Sequence, residues 1–141
     1  RRKKAVKTLN PYAQIGVDYL GETGGRITDL EAREKITKQV MLEKSMQLTV
    51  QRVMAEAKSG RAPGATTSIF KLVGSTIAKE ASALKSELRG LAGVGWEGEG
   101  FNQEELDATR GWLRDRAVTI YGGTNEVQMN IIAKRVLGLP D

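Results

Sequence analysis

The sequence contains no cysteine and no histidine. Without cysteine there is no disulfide or thiolate nucleophile, and without histidine the commonest general base and transition-metal ligand are missing. We therefore expect neither a zinc site nor hydrolysis by a Ser-His or Cys-His pair. No apolar run approaches the about 20 residues of a membrane span, and no basic segment leads into an apolar signal core. We expect a cytoplasmic protein without a membrane span.

The overall composition is that of an ordinary globular domain. The 141 residues are 40% hydrophobic and 28% charged, a composition far from that of disordered chains. This length corresponds to one domain, which is short for an enzyme with separate cofactor and substrate lobes. Because the sequence starts at Arg1 rather than at Met, we expect it to be part of a longer polypeptide.

The net charge of +5 is concentrated at the start of the chain. Five basic residues account for the whole excess, namely Arg1, Arg2, Lys3, Lys4 and Lys7. No aromatic residues are interleaved with them, so a solvated tail is favoured over a nucleic-acid site. We predict a basic tail or linker over residues 1–9, a folded domain over residues 10–141, and no nucleic-acid partner.

Helix signals begin at Asn10-Pro11, a cap followed by proline at the first helical position. They predict a short helix that ends before Gly21, then a turn over residues 22–26. A capping box between Thr28 and Glu31 predicts the start of a long helix, which the apolar period continues to Ser59-Gly60.

Residues 68–91 carry apolar side chains three or four apart, which predicts a second long helix ended by the glycine-rich residues 93–100. Asn102 and Glu105 form a capping box for a helix that continues to Tyr121. Gly122-Gly123 ends that helix, and Thr124 caps a final helix that closes at residues 138–140. With no alternating strand pattern, the fold predicted is all-α, an antiparallel four-helix-type bundle with short connections.

The segment Gly93 to Gly98 satisfies the G-x-G-x-x-G pattern of dinucleotide-binding folds. In those folds the pattern joins a strand to a helix within a βαβ unit. Here it follows a predicted helix, so we interpret it as an inter-helix loop.

The most informative segments are IYGGTNEV at residues 120–127 and NIIAKRVLGLP at residues 130–140. They closely resemble the sequence that closes many acyl-CoA dehydrogenases, and the two long helices fit the C-terminal bundle of that family in length and order. The resemblance covers most of the chain in architecture and about its last thirty residues in detail.

The resemblance implies an FAD-dependent oxidoreductase that forms the trans-2-enoyl-CoA from an acyl-CoA thioester. In this family a glutamate removes the α-proton while hydride leaves to the flavin. The implied partners are the acyl-CoA substrate, further copies of the chain in a dimer or tetramer, and an electron-transfer flavoprotein. The isolated chain is expected to be inactive, because an N-terminal helical domain and a β-domain would complete the site.

Gly122 stands where relatives with a Tyr-Glu-Gly-Thr motif carry the catalytic glutamate, so we predict no catalytic residue in this chain. Two explanations stay open: the base lies on an earlier helix before Arg1, or the protein is a non-catalytic oligomerisation or partner subunit. Glu126 is not a substitute base on this interpretation, since a carboxylate in the first turn of a helix complements the helix dipole.

For FAD, Thr124 is the leading candidate contact, because a hydroxyl-capped helix N-terminus beside two glycines presents unpaired N–H groups to an anion such as the flavin's pyrophosphate or adenosine phosphates. The resemblance also places Asn125, Glu126 and Gln128 around the adenine side of the site. It places Arg89 and Gly93 near the flavin of a neighbouring subunit. The family's Arg-x-x-Phe-Gly motif for flavin binding is absent from the sequence.

Overall fold

A computed structural model describes residues 10–60 and 66–140, with the side chains of residues 66 and 67 left undescribed. The helices are α1 (Pro11–Leu20), α2 (Leu30–Lys58), α3 (Thr66–Glu87), α4 (Gln103–Arg114) and α5 (Asn125–Ile131). Two short strands, β1 (Glu22–Thr23) and β2 (Arg26–Ile27), pair as an antiparallel hairpin between α1 and α2. Single helical turns follow α3 at Gly90–Val94, α4 at Ala117–Thr119 and α5 at Ile132–Val136.

The all-α antiparallel bundle predicted from the sequence is confirmed. Helices α2 and α3 run in opposite directions, since Lys35 pairs with Glu87 at one end while Met46 approaches Gly74 nearer the other. Helix α4 packs against α3, and Arg116 just beyond α4 donates to the Lys79 carbonyl at 2.8 Å. The predicted tail at residues 1–9 lies outside the described residues, as does the loop at residues 61–65.

The core lies where α1, β2, α2 and the end of α3 meet. It consists of six buried residues: Tyr12, Ile27, Ala32, Ile36, Leu84 and Leu88. The Tyr12 hydroxyl donates a hydrogen bond to the Glu43 carboxylate, which also accepts from Gln39 Nε2 at 2.9 Å. Burial first, and then the bond to Glu43, raises the pKa of Tyr12 well above its usual range. Below that pKa the Tyr12 hydroxyl keeps its proton, so it is a neutral hydrogen-bond donor held against the Glu43 carboxylate.

Three predicted helix ends agree with the structure and depend on local chemistry. Asn10 caps α1 by accepting from the Tyr12 amide at 2.9 Å. Asn102 and Glu105 form the predicted capping box at α4. Helix α2 ends at Lys58, directly before the predicted Ser59-Gly60 stop.

The capping box predicted at Thr28 is wrong. Asp29 caps α2 by accepting from the Ala32 amide at 2.9 Å, whereas the Thr28 hydroxyl donates to the Leu20 carbonyl at 3.0 Å. Thr28 therefore closes the hairpin back onto α1. The same hairpin occupies most of the segment that the sequence predicted as a simple turn.

The C-terminal ends predicted for α3 and α4 were too late. Helix α3 ends at Glu87 because the chain turns at Gly90, whose φ is +55°, and Leu91 beyond it is 88% exposed. Helix α4 ends at Arg114, and its apolar period continues only through the separate turn at residues 117–119. In both places, apolar side chains at helical spacing are exposed rather than packed.

Candidate functional site

The N-terminus of α5 is built by a glycine pair and a threonine cap. Gly122 and Gly123 have φ of +68° and +93°, in the region that favours glycine. They turn the chain so that Thr124 Oγ1 accepts from the Val127 amide at 3.3 Å. The predicted cap at Thr124 is confirmed.

Asn125 is engaged in packing α5 against α3. Its Oδ1 lies 2.9 Å from the hydroxyl of buried Ser75, which also lies 3.0 Å from the Leu72 carbonyl. A buried hydroxyl with these acceptors is satisfied inside the protein. Asn125 therefore orients α5 against α3.

Glu126 occupies the exposed first turn of α5. Hydrogen bonds from its own backbone N–H first, and then from the Thr124 hydroxyl, lower the pKa of its carboxyl. This carboxylate thus satisfies donors that the helix end would otherwise present. It also places a negative charge beside them.

Gln128 points into the protein. It is 8% exposed, and its Nε2 lies 2.7 Å from where a Cβ on Gly123 would be placed. Gln128 therefore supports the glycine turn from inside. Of the four predicted residues at α5, Glu126 is exposed, Thr124 and Asn125 are half-buried, and Gln128 is buried.

Arg89 lies just beyond the end of α3 and is only 9% exposed. Its Nη1 donates to the Lys85 carbonyl at 2.7 Å, and its guanidinium lies 5.5 Å from the centre of the Tyr19 ring. Its Nε is buried and has no hydrogen-bond partner within the described ranges. A buried cation with so few partners is unusual, since buried charges are normally paired.

A carboxylate cluster and an open cavity adjoin Arg89. Glu105 accepts from the Tyr19 hydroxyl at 2.8 Å. Its pKa is lowered by the Asn102 backbone bond, then by Tyr19, and to a smaller extent by the charge of Arg89. A cavity of about 320 Å³ is lined by Ile15, Lys85, Arg89, Glu104, Asp107 and Ala108.

Gly93 serves close packing. Its carbonyl accepts from the Thr109 hydroxyl at 2.8 Å and from the Ser86 hydroxyl. A Cβ at this position would lie 2.0 Å from the Ser86 carbonyl oxygen. Glycine is therefore required for this turn to pack back against the end of α3.

The structure divides the six predicted residues into two separate groups. Ser75, beside Asn125, precedes Glu87 at the end of α3 by 12 positions, which corresponds to about 18 Å along the helix, and Arg89 lies beyond that end. The α5 group contains Thr124, Asn125, Glu126 and Gln128, and the α3-end group contains Arg89 and Gly93. They do not form one pocket within this chain.

No group of three or more acidic side chains able to hold a metal ion occurs in the part of the chain that the structure describes. Nor, across residues 10–60 and 66–140, does any helix have the length and apolarity to cross a membrane.

The family model for the acyl-CoA dehydrogenase C-terminal domain matches residues 23–137. The chain belongs to this family. Acyl-CoA dehydrogenase IpdE1 of Mycolicibacterium smegmatis is 42% identical over 72 residues, covering 51% of the chain and 17% of that protein. Acyl-CoA dehydrogenase FadE34 of Mycobacterium tuberculosis is 29% identical over 123 residues, covering 87% of the chain and 16% of that protein.

A third relative, acyl-CoA dehydrogenase IpdE1 of Mycobacterium tuberculosis, is 72% identical over 29 residues, which are 21% of the chain and 8% of that protein. The chain thus spans at most 17% of the length of these relatives. No solved structure gives a significant match.

Within this acyl-CoA dehydrogenase domain, the backbone at Gly122 limits which residue types fit the turn before α5. A Cβ there would meet Lys71 Cε at 3.5 Å, an ordinary contact, but the φ of +68° disfavours any residue with a side chain. The turn in this chain is therefore adapted to glycine.

The sequence patterns do not indicate Lys71, which the structure places beside the same turn. Its Nζ donates to the Val118 carbonyl at 2.6 Å and lies 5.7 Å from the centre of the Tyr121 ring. Lys71 and Ser75 are four residues apart on α3, so both face the α5 side. That spacing is the one sequence signal that relates Lys71 to the site, and it carries meaning only once α5 is known to pack there.

Proposed function

We propose that this chain is the C-terminal domain of a flavin-dependent acyl-CoA dehydrogenase, contributing part of the FAD site and part of the oligomer interface. The observation that carries the proposal is the accessible polar end of α5, formed by Thr124 and Glu126 behind a left-handed glycine pair. When bound, FAD supplies the hydride acceptor for α,β-dehydrogenation of an acyl-CoA thioester.

The groups at α5 fit the adenosine end of FAD better than its pyrophosphate. The backbone N–H of Glu126 and the Thr124 hydroxyl lower the pKa of the Glu126 carboxyl, so an anionic carboxylate occupies this helix end. A phosphate would be repelled there, whereas ribose hydroxyls or the adenine amino group could donate to the carboxylate. Thr124 and the Asn125 amide would add neutral hydrogen bonds at the same end.

The α3-end group supports a role toward a second flavin. It lies beyond the end of α3, about 18 Å along that helix from Ser75 beside α5. Arg89 brings a cation with no ion pair in the described part of the chain. This arrangement agrees with a domain that serves one flavin through α5 and a neighbouring subunit's flavin through Arg89.

The proton-abstracting base would come from another segment of the enzyme. Gly122 has no titratable group, and the lowered pKa of Glu126 makes its carboxylate a weaker base. We accordingly place the acyl-CoA substrate and the electron-transfer flavoprotein partner with the complete enzyme, and we propose that this enzyme is cytoplasmic.

The oligomer interface is supported by large apolar side chains left exposed near the end of the chain. Ile120, Tyr121 and Leu137 are 64%, 62% and 64% exposed. Exposed apolar surface on this scale typically marks a contact with another domain or subunit. Further exposed members are Leu113, Val127, Val136 and Leu139.

A ligand titration with a matched variant pair tests the flavin part of this proposal. Glu126→Gln removes the charge from the second position of α5, and Glu31→Gln makes the same change at the second position of α2. We expect Glu126→Gln to weaken FAD and ADP binding about tenfold, since a hydrogen bond to a charged acceptor is lost. Glu31→Gln should leave both affinities unchanged.

Binding would be followed by flavin fluorescence for FAD and by calorimetry for ADP. Tighter binding by Glu126→Gln would place phosphate at this helix end and contradict the adenosine assignment. Equal affinity of Glu126→Gln and the unaltered chain would remove α5 from the FAD site.

A further inference from the structure

The outer face of α2 carries an exposed row of side chains. Leu30, Met41 and Leu48 on this face are 72%, 64% and 52% exposed. The opposite face packs inward through Ala32, Ile36 and Gln39. The complete row, which we call the α2 seam, is Leu30, Glu34, Thr37, Met41, Lys44 and Leu48, and all six are exposed.

The α2 seam has the spacing of a coiled-coil contact. Its members follow one another at intervals of 4, 3, 4, 3 and 4 residues. That alternation places them on one stripe of the helix, the arrangement by which two helices pack side by side. From Leu30 to Leu48 the stripe is about 27 Å long.

The α2 seam is complementary to a second copy of itself that runs in the opposite direction. If a second α2 packs antiparallel on the outer face, with the twofold axis at the level of Gln39 along the helix, Leu30 meets Leu48 of the second copy. Glu34 then meets Lys44 of the second copy, and Thr37 meets Met41. Every layer therefore pairs apolar with apolar, acid with base, or a small residue with methionine.

We infer that two copies of this chain associate through an antiparallel pairing of their α2 seams. The inference adds a second contact face, on α2, to the oligomerisation part of the proposed function and does not depend on flavin binding. A parallel pairing is disfavoured, because it would set Glu34 against Glu34 and Lys44 against Lys44. An isologous contact of this kind closes into a dimer.

The local surface permits this contact. A groove of about 560 Å³ lies along the first half of the seam, lined by Leu30, Arg33, Glu34, Thr37, Lys38 and Met41. Glu34 pairs at 2.6 Å with Lys38, whose side chain is 74% exposed, and Lys44 bonds to Gln47 at 3.0 Å. These are surface contacts, which cost little to exchange for contacts across a dimer.

Charge reversal tests the register. Glu34→Lys or Lys44→Glu alone would create two like-charge contacts per dimer and should weaken dimerisation about tenfold or more in sedimentation experiments. The double variant Glu34→Lys/Lys44→Glu should restore it. An equimolar mixture of the two single variants should also restore it, because one copy then presents lysines where the other presents glutamates.

The control is Glu99→Lys, the same change in an exposed turn away from α2. It should leave dimerisation unaltered. Far-UV circular dichroism would verify that every variant keeps its helix content. A Glu34→Lys protein that dimerises normally would overturn the α2 pairing while leaving an oligomer through another face, and with it the proposed function.

Because the chain contains no cysteine, disulfide trapping gives an independent test. The double variant Leu30→Cys/Leu48→Cys should form a covalent dimer on mild oxidation, whereas neither single variant should. Within one chain the two positions are about 27 Å apart, too far for an internal disulfide. Crosslinking by each single variant would show a parallel pairing, and absence of crosslinking in the double variant would contradict the inference.

Discussion

The hydroxyl of Ser75 in the middle of α3 lies 2.9 Å from Oδ1 of Asn125 at the start of α5. This contact sets the orientation of the helix end on which Thr124 and Glu126 are presented. Ser75 is 7% exposed. Without Ser75, the half-buried Oδ1 of Asn125 would lose this donor, whereas without Asn125 the Ser75 hydroxyl would keep only the Leu72 carbonyl as acceptor.

We expect Ser75→Ala and Asn125→Ala to reduce the free energy of unfolding non-additively. The double-mutant cycle should give a coupling of about 1 kcal/mol, typical of one hydrogen bond. Urea denaturation would measure it. The control cycle pairs Ser75→Ala with Asn130→Ala, an exposed position of α5, and should be additive; equal coupling in both cycles would contradict the assigned contact.

Raising the pH should weaken the core at Tyr12. Burial and the Glu43 bond raise the Tyr12 pKa, so the folded chain retains a proton that the unfolded chain releases above about pH 10. Stability is therefore highest below that pH and falls as the pH rises toward the folded pKa.

The variant Tyr12→Phe should lose less stability as the pH rises, because its side chain cannot ionise. Denaturation of both proteins at a series of pH values would isolate the contribution of Tyr12 from that of Lys35, whose pKa is also raised by contacts with Glu31 and Glu87. Parallel curves for the two proteins would show that Tyr12 does not titrate differently in the folded state.

In the turn before α5, alanine should be tolerated better at position 122 than at position 123. Gly122→Ala meets only the strain of a positive φ, and we expect a loss of about 1 kcal/mol. Gly123→Ala should cost more, because its Cβ would also displace the buried Gln128 amide from 2.7 Å.

At Gly111, alanine should have the opposite effect on stability. It lies within α4, and a Cβ there would meet nothing within 4 Å. Gly111→Ala should therefore stabilise the chain by about 0.5–1 kcal/mol through helix propensity. Thermal denaturation would rank the three variants, and a Gly123→Ala protein more stable than Gly122→Ala would contradict the described turn.

Features of the fold that depend on neighbouring residues could be predicted from the sequence. The caps at Asn10, Asn102 and Thr124 need only side-chain oxygens near free amides, and all three agree with the structure. Thr28 was misassigned because Thr28 and Asp29 are adjacent capping residues. The choice depends on the tertiary bond from Thr28 to Leu20.

Features that depend on contacts between residues far apart in the sequence could not be predicted. Leu91 and Ile120 extend the apolar period of α3 and α4, yet they are 88% and 64% exposed. Apolar spacing does not reveal which partner a face meets, so it overextended both helices. The separation of Arg89 from Thr124, and the position of Lys71 beneath the turn, likewise require the packing of α3 against α5.

The assignment of the α5 end and the α3 end of this domain to FAD sites can be tested by an amide NMR titration of the isotope-labelled chain with FAD, and in parallel with ADP and FMN. We predict that FAD and ADP shift the resonances of residues 122–128 and 89–93, and that FMN, which lacks the adenosine end, leaves residues 122–128 unmoved. Unchanged resonances at residues 122–128 in millimolar ADP would contradict this assignment.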